Sequence, residues 1–340
     1  MILNPWVIGM YVSILGMSVL YAYALTISFQ IVRGWDIHSM EERQLGLERK
    51  THLASTIIQY GLWIQLLSIV LFYMTLESVA EVIPGAMCAT GAIMANRYGF
   101  PALFVKMAIP LVCAIWFNIH HIDSRLEDYR LTPLKFKLLF VLAPLLLGDL
   151  VLQFLYFVNL DPNVITSCCG VVFEIEGEGF GASVASVPAH PMMFIFYISM
   201  PVLLLTGYFL SRKGTALGYY LFSSFGLILF VLSIMAVISF ITPYIYESPT
   251  LHCPFCMMRK EYDYVGYLLY FLLFGAFFLS LVPGLTEFLK RKGGQIEYVV
   301  GDLQRKTLKL SMILWGFFVL MPSLIIILYE VRAGGAHLFA

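Results

Sequence analysis

The residues of this 340-residue chain best suited to chemistry are its six cysteines. The sharpest local feature is a C-x-x-C, His252-Cys253-Pro254-Phe255-Cys256, followed by Met257-Met258-Arg259-Lys260. Proline has the fixed φ of a first helical position. The spacing therefore predicts a helix starting at Pro254, with Cys253 at its N-cap and Cys256 one turn later on the same face. Unpaired backbone donors and the positive dipole end would stabilise a thiolate there, and His252, Arg259 and Lys260 add cationic charge. Two thiols so spaced can close a small reversible disulfide; an inert local staple uses the same residues. Cys88 follows Pro84-Gly85-Ala86-Met87, and Cys168 and Cys169 are adjacent within Thr166-Ser167-Cys168-Cys169-Gly170. A disulfide between chain neighbours forces a strained ring, so each of those two sulfurs looks elsewhere. Five such thiols make at most two bridges, which leaves one for a partner or a relay; an ordinary inter-loop disulfide with a spare is the plainer alternative. Cys113 lies in an apolar run and reads as packing.

The elements that must position these residues are set by lipid. The chain is 60% hydrophobic and 12% charged, with 21 basic and 21 acidic side chains in balance, whereas an ordinary soluble protein is roughly 45–50% apolar and about 25% charged. Apolar stretches near the length a helix needs to cross a bilayer recur between short charged connections. They predict eight spans, near 6–32, 54–75, 100–121, 137–160, 192–211, 217–244, 265–289 and 310–331. The fold class is all-α: a polytopic bundle forming a single integral membrane domain over 1–340. The first span has no basic n-region, since the earliest basic residue is Arg33, so it is not a cleaved signal. Charge balance and the lack of a Gly-rich phosphate loop give no basis for a nucleic-acid partner. Pro101, Pro133, Pro162, Pro191 and Pro243 fall at or near span ends; Pro110, Pro144, Pro201, Pro283 and Pro322 fall inside and read as packing kinks.

Basic residues orient the bundle, because Lys and Arg are retained on the cytoplasmic side during insertion. Arg33, Arg43, Arg49 and Lys50 lie in the first connection, Arg125, Arg130, Lys135 and Lys137 in the third, and Arg212 and Lys213 in the fifth. The seventh adds Lys290, Arg291, Lys292, Arg305, Lys306 and Lys309, against only Arg97, Arg259 and Lys260 in all the even connections. Both termini then face outward. Cys88, Cys168, Cys169, Cys253 and Cys256 fall on that same exoplasmic side without having been used to assign it. The alternating charges of the first connection, Glu41 to Lys50, read as a solvated helix extension.

A C-x-x-C at an exoplasmic helix end, with further cysteines in another exoplasmic loop, resembles the DsbB and vitamin K epoxide reductase type of membrane thiol oxidoreductase. In those families the motif lies beside a bound quinone and exchanges with a loop pair. The resemblance implies a quinone-proximal role for Cys253 and Cys256 and a shuttle role for Cys88 with Cys168 or Cys169. Cores of those families are four-helix bundles, against the eight spans read here.

Two charges lie inside spans, Lys106 and Asp149. Each costs roughly 2.5–3.5 kcal/mol on insertion scales, so pairing or a water-lined cavity is expected. Their depths differ by roughly 7–8 Å at 1.5 Å per residue, which a lysine stem largely bridges. An interhelical ion pair is one reading and a proton or quinone site the other. His190 and His252, with the loop cysteines and Met87, Met192, Met193, Met257 and Met258, could also form a soft copper or zinc site. The sequence thus points first to a thiol–disulfide oxidoreductase of a bacterial inner membrane, passing electrons between an exoplasmic thiol protein and a membrane acceptor such as quinone. A disulfide-stapled subunit of a larger membrane complex and exoplasmic metal handling are the alternatives.

Overall fold

A computed structural model describes residues 4–35, 42–86, 88–126, 129–161, 164, 166, 186–290, 294–334 and 337–339, apart from the side chain at 43. Among these residues the regular structure is helical throughout, as expected where lipid leaves backbone groups no partner but the helix itself. Among the described residues, eight helices are long and apolar enough to cross a membrane. Large apolar side chains such as Val12, Val19, Leu67, Phe104, Leu147, Phe194, Leu221 and Phe271 are exposed on their outer faces, where lipid is the matching solvent.

Contacts group into two compact units, Met1–Thr166 and Ser167–Ala340, where composition alone reads as one domain. The first holds α1 (Pro5–Gly34), α2 (Glu42–Ala80), the short α3 (Ala89–Met94), α4 (Gly99–Asp123) and α5 (Thr132–Val158). Here α1 packs on α2, α2 on α4, α4 on α5, and α5 closes the ring on α1. The second holds α6 (Ala189–Lys213), α7 (Ala216–Ala236), a π-helical turn (Val237–Ile241), α8 (Thr242–Tyr246), α9 (Val265–Lys290) and α10 (Gln295–Arg332). Its four long elements close in the same cyclic order: α6 on α7, α7 on α9, α9 on α10 and α10 on α6. Each unit is therefore a four-helix ring with a cysteine-bearing connection between its second and third long helices. No internal repeat is visible in the sequence; the likeness lies in the packing order.

Where helices end, buried carboxylates hold the turns. Asp123 at the end of α4 accepts from Leu131 N at 2.9 Å and Thr132 Oγ1 at 2.8 Å, and pairs with Lys135 Nζ at 2.7 Å. In the second unit Glu287 on α9 takes Lys290 Nζ at 2.9 Å and Gln304 Nε2 at 2.7 Å. The internal prolines lie within helices as the spacing predicts. At Pro283 the repair is visible: Ser223 Oγ from α7 donates to Ser280 O at 2.7 Å and accepts from Gly284 N at 2.8 Å. A neighbouring hydroxyl thus stands between a helical carbonyl and the N–H four residues on. Gly284 admits it, since a Cβ there would meet Ser223 Oγ at 2.6 Å.

Both α2 and α10 outrun a bilayer. They have 39 and 38 residues, whereas about 20 suffice to span. The charged segment from Glu42 to Lys50 is the first turns of α2, which is the helix extension its alternating charges predict.

Candidate functional site

In the second unit the chain leaves α8 at Glu247, a residue in the left-handed region (φ 52°), and returns into α9 through Asp263 (φ 51°) and Tyr264 (φ 55°). Between them lies the C-x-x-C. Cys253 is buried and Cys256 half-buried, and their Sγ atoms lie within 4.8 Å of one another. Both stand as thiols, so the reversible disulfide expected from the spacing is not formed in this structure.

The predicted helix N-terminus is not there. Helical geometry begins only at Cys256, in a single 3₁₀ turn, Cys256–Met258, capped by Phe255, and a second turn, Lys260–Tyr262, follows. Three residues align too few peptide dipoles to hold a thiolate. Proline's fitness for a first helical position says nothing about how many residues follow it. Arg259 is drawn to Glu261 (Nε to Oε2, 3.5 Å), which offsets part of the cationic flank.

Tyrosines hold the segment instead. Tyr246 Oη donates to Cys253 O, and Tyr270 Oη donates to Pro254 O at 2.8 Å. Tyr262 packs against Tyr246 with ring centroids 4.5 Å apart and the planes tilted by 51°. Burial first, then the nearby Cys256 and Glu261, raise the Tyr262 phenol above its ordinary pKa, with Arg259 opposing.

His252 anchors the same segment from the other side. Its Nδ1 lies 2.9 Å from Ile238 O. A carbonyl can only accept, so Nδ1 is the donor of this bond. The ring Nε2 is buried and finds no hydrogen-bond partner among the described residues. The Ile238 carbonyl belongs to the π turn, where the wider i to i+5 bonding disturbs the regular ladder. Sequence reading places His252 here as a cation; its role in positioning needed the π turn, which has no local signature.

In the first unit Cys88 is buried at the N-cap position of α3. The first N–H of that helix, Ala89 N, donates to Glu77 Oε2 at 3.0 Å. The loop before it is pinned: Thr166 N donates to Pro84 O at 3.1 Å. Gly85 has φ +82° and no room for a Cβ, which would fall 2.2 Å from Thr166 O. Cys168 and Cys169 lie outside the described residues, as does Met87. Cys113 is fully buried among α4 packing residues.

Lys106 and Asp149 meet as the cost of isolated charge in lipid requires. Lys106 Nζ lies 2.7 Å from Asp149 Oδ2 with both side chains buried. Ser68 Oγ takes a second lysine hydrogen at 3.2 Å, Gln65 Nε2 donates to Oδ2 at 3.1 Å, and Gln153 Nε2 donates to Oδ1. Lys106 also lies 5.8 Å from the centre of the Phe72 ring. The cavity beside Asp149 has about 10 Å³, room on the scale of one water, whereas cofactor pockets start near about 300 Å³. Among the soft donors, Met192 and Met257 are packed in the apolar core of the second unit, and His190 Nε2 lies 3.3 Å from Phe339 O.

Fold and site define an integral membrane protein of eight spanning helices with a tyrosine-held dithiol between two of them. No protein-family model, curated protein or solved structure matches the chain.

Proposed function

We propose that the chain is a membrane thiol–disulfide oxidoreductase whose exchanging pair is Cys253 and Cys256. The observation that carries the reading is their placement: two sulfurs within 4.8 Å, one buried and one half-buried. A modest side-chain rotation closes such a pair to the S–S bond length of about 2.05 Å. In the oxidising half-reaction a partner thiolate attacks Cys256 of the disulfide form, and Cys253 leaves as a thiolate. A second partner thiol then displaces Cys256. Two electrons and two protons pass from the partner dithiol, which becomes a disulfide, to the Cys253–Cys256 dithiol. A membrane acceptor removes them.

Three further points support this reading. The unit that carries the motif is itself a four-helix ring, the size of core found in the DsbB and vitamin K epoxide reductase type of enzyme. Basic residues crowd the odd connections, which puts the cysteine-bearing ones on the exoplasmic side of a bacterial inner membrane, where thiol partners are oxidised and reduced. In the first unit the hydrogen bond from Thr166 N to Pro84 O pins the loop that leads to the buried Cys88, the thiol to which the resemblance gives a shuttle role.

Trapping tests the proposal. Cys253→Ser leaves the half-buried Cys256 without a resolving thiol, so it should accumulate a mixed disulfide through Cys256, to Cys88, Cys168 or Cys169 or to an exoplasmic protein, read by non-reducing gels and peptide mapping. Cys256→Ser should trap less, because Cys253 is buried. Absence of any adduct in both variants overturns the reading. Stoichiometric copper or zinc in the purified protein would then favour metal handling, and copurifying subunits a stapled accessory role.

A further inference from the structure

The cavity in the first unit is lined by Ile14, Met17, Ser18 and Tyr21 of α1, Gln65 of α2, and Leu146 and Asp149 of α5. Three of these side chains bring polar groups that are not all accounted for by the protein. The Tyr21 hydroxyl is buried, with its side chain 6% exposed, and finds no hydrogen-bond partner among the described residues. Ser18 is bonded back to Ile14 O at 2.8 Å and has an oxygen lone pair to spare. Asp149 already accepts from Lys106, Gln65 and Gln153, and a carboxylate has about four acceptor sites. A buried phenol left alone in lipid is costly, and such groups in native proteins are usually met by ordered water.

We infer that this cavity is a single-water site, in which the water accepts from Tyr21 and donates to Asp149, making the Lys106–Asp149 pair a hydrated, proton-exchanging centre in the membrane interior. The inference is independent of the thiol chemistry. Its balance is simple: a proton entering through the water protonates Asp149, which releases Lys106 Nζ to Ser68 and the Phe72 ring, and the reverse step restores the ion pair. The ionisable and polar groups facing the site are Tyr21 and Ser18 on α1, Gln65 and Ser68 on α2, Lys106 on α4 and Gln153 on α5, with the Cys113 thiol of α4 near the Tyr21 phenol.

Radiolytic hydroxyl labelling of the full chain in lipid nanodiscs, in ¹⁸O-water, reads the site directly, because radicals formed on a bound water mark the side chains beside it. Met17 and Tyr21, 4% and 6% exposed, should label several-fold faster than Met192 and Tyr244, which at 2% and 3% are buried to a similar degree and do not line the cavity. Equal labelling of the two sets overturns the water site. For the proton, infrared difference spectra on a pH jump should contain a carboxyl band that shifts in D₂O and vanishes in Asp149→Asn, and that Tyr21→Phe perturbs while Tyr156→Phe does not. If no band depends on Asp149, the centre does not exchange protons. Wild-type labelling does not depend on any variant folding.

Discussion

A dithiol exchanges well when one sulfur can be reached and the other stays close enough to resolve the adduct. Cys256 and Cys253 divide these roles by exposure. Iodoacetamide should therefore alkylate the reduced protein first at Cys256, several-fold faster than at Cys253, as measured by peptide mapping over time; equal rates would remove the division of labour. Tyr262 offers a second residue-scale reading. Its phenol is raised by burial and by its neighbours, so the unfolded chain, with tyrosine near about 10, ionises first. Any stability it contributes is fully present below that value and lost as pH rises through the folded pKa. Tyr262→Phe should flatten the decline of stability above about pH 10, followed by thermal unfolding; an unchanged slope would mean the phenol is not coupled to folding. Much at this scale was legible: the motif itself, the packing role of Cys113, and the meeting of Lys106 with Asp149, which no lipid-facing alternative permits. The helix start at Pro254 was not. Its local propensity yields to Tyr246, Tyr270 and His252, which hold the segment from three places distant in sequence or bonding.

The span helices follow from length and apolarity alone, and each boundary read from the sequence falls on or inside a helix or within a few residues of its end. What sequence cannot supply is the partner of each broken backbone bond. Ser223 reaches from α7 into the Pro283 kink of α9, and nothing near residue 223 announces this. Removing the hydroxyl strands the Gly284 N–H and the Ser280 carbonyl, each costing about 1–3 kcal/mol when buried unsatisfied. Ser223→Ala should therefore lower the thermal midpoint in detergent, and Ser223→Thr, which keeps the hydroxyl, should lower it less. Equal effects would assign the loss to packing. For the α4–α5 side, Lys106→Met leaves Asp149 as an uncompensated buried charge, a loss of about 3–5 kcal/mol. Adding Asp149→Asn should recover part of it. Additive losses in the double variant would mean the two charges are not coupled.

At the scale of the molecule, eight spans resolve into two units with one packing order, each carrying cysteine between its second and third long helices. Composition shows the membrane class and hides the division, because the runs joining the spans look alike and the repeat lies in which helix faces which. The expected orientation places all five loop cysteines outside. Single-cysteine reporters in the first, third, fifth and seventh connections should then resist a membrane-impermeant maleimide in intact cells, and labelling in the third or seventh would reverse the topology. The central claim is that Cys253 and Cys256 cycle between dithiol and disulfide. Its most direct measurement is the redox state of that pair in native membranes equilibrated over a series of glutathione potentials, thiols blocked and peptides mapped. The account predicts a midpoint within the range of exchanging dithiols, about −120 to −270 mV. A pair that remains oxidised at every potential below about −300 mV, as a structural disulfide does, would contradict it.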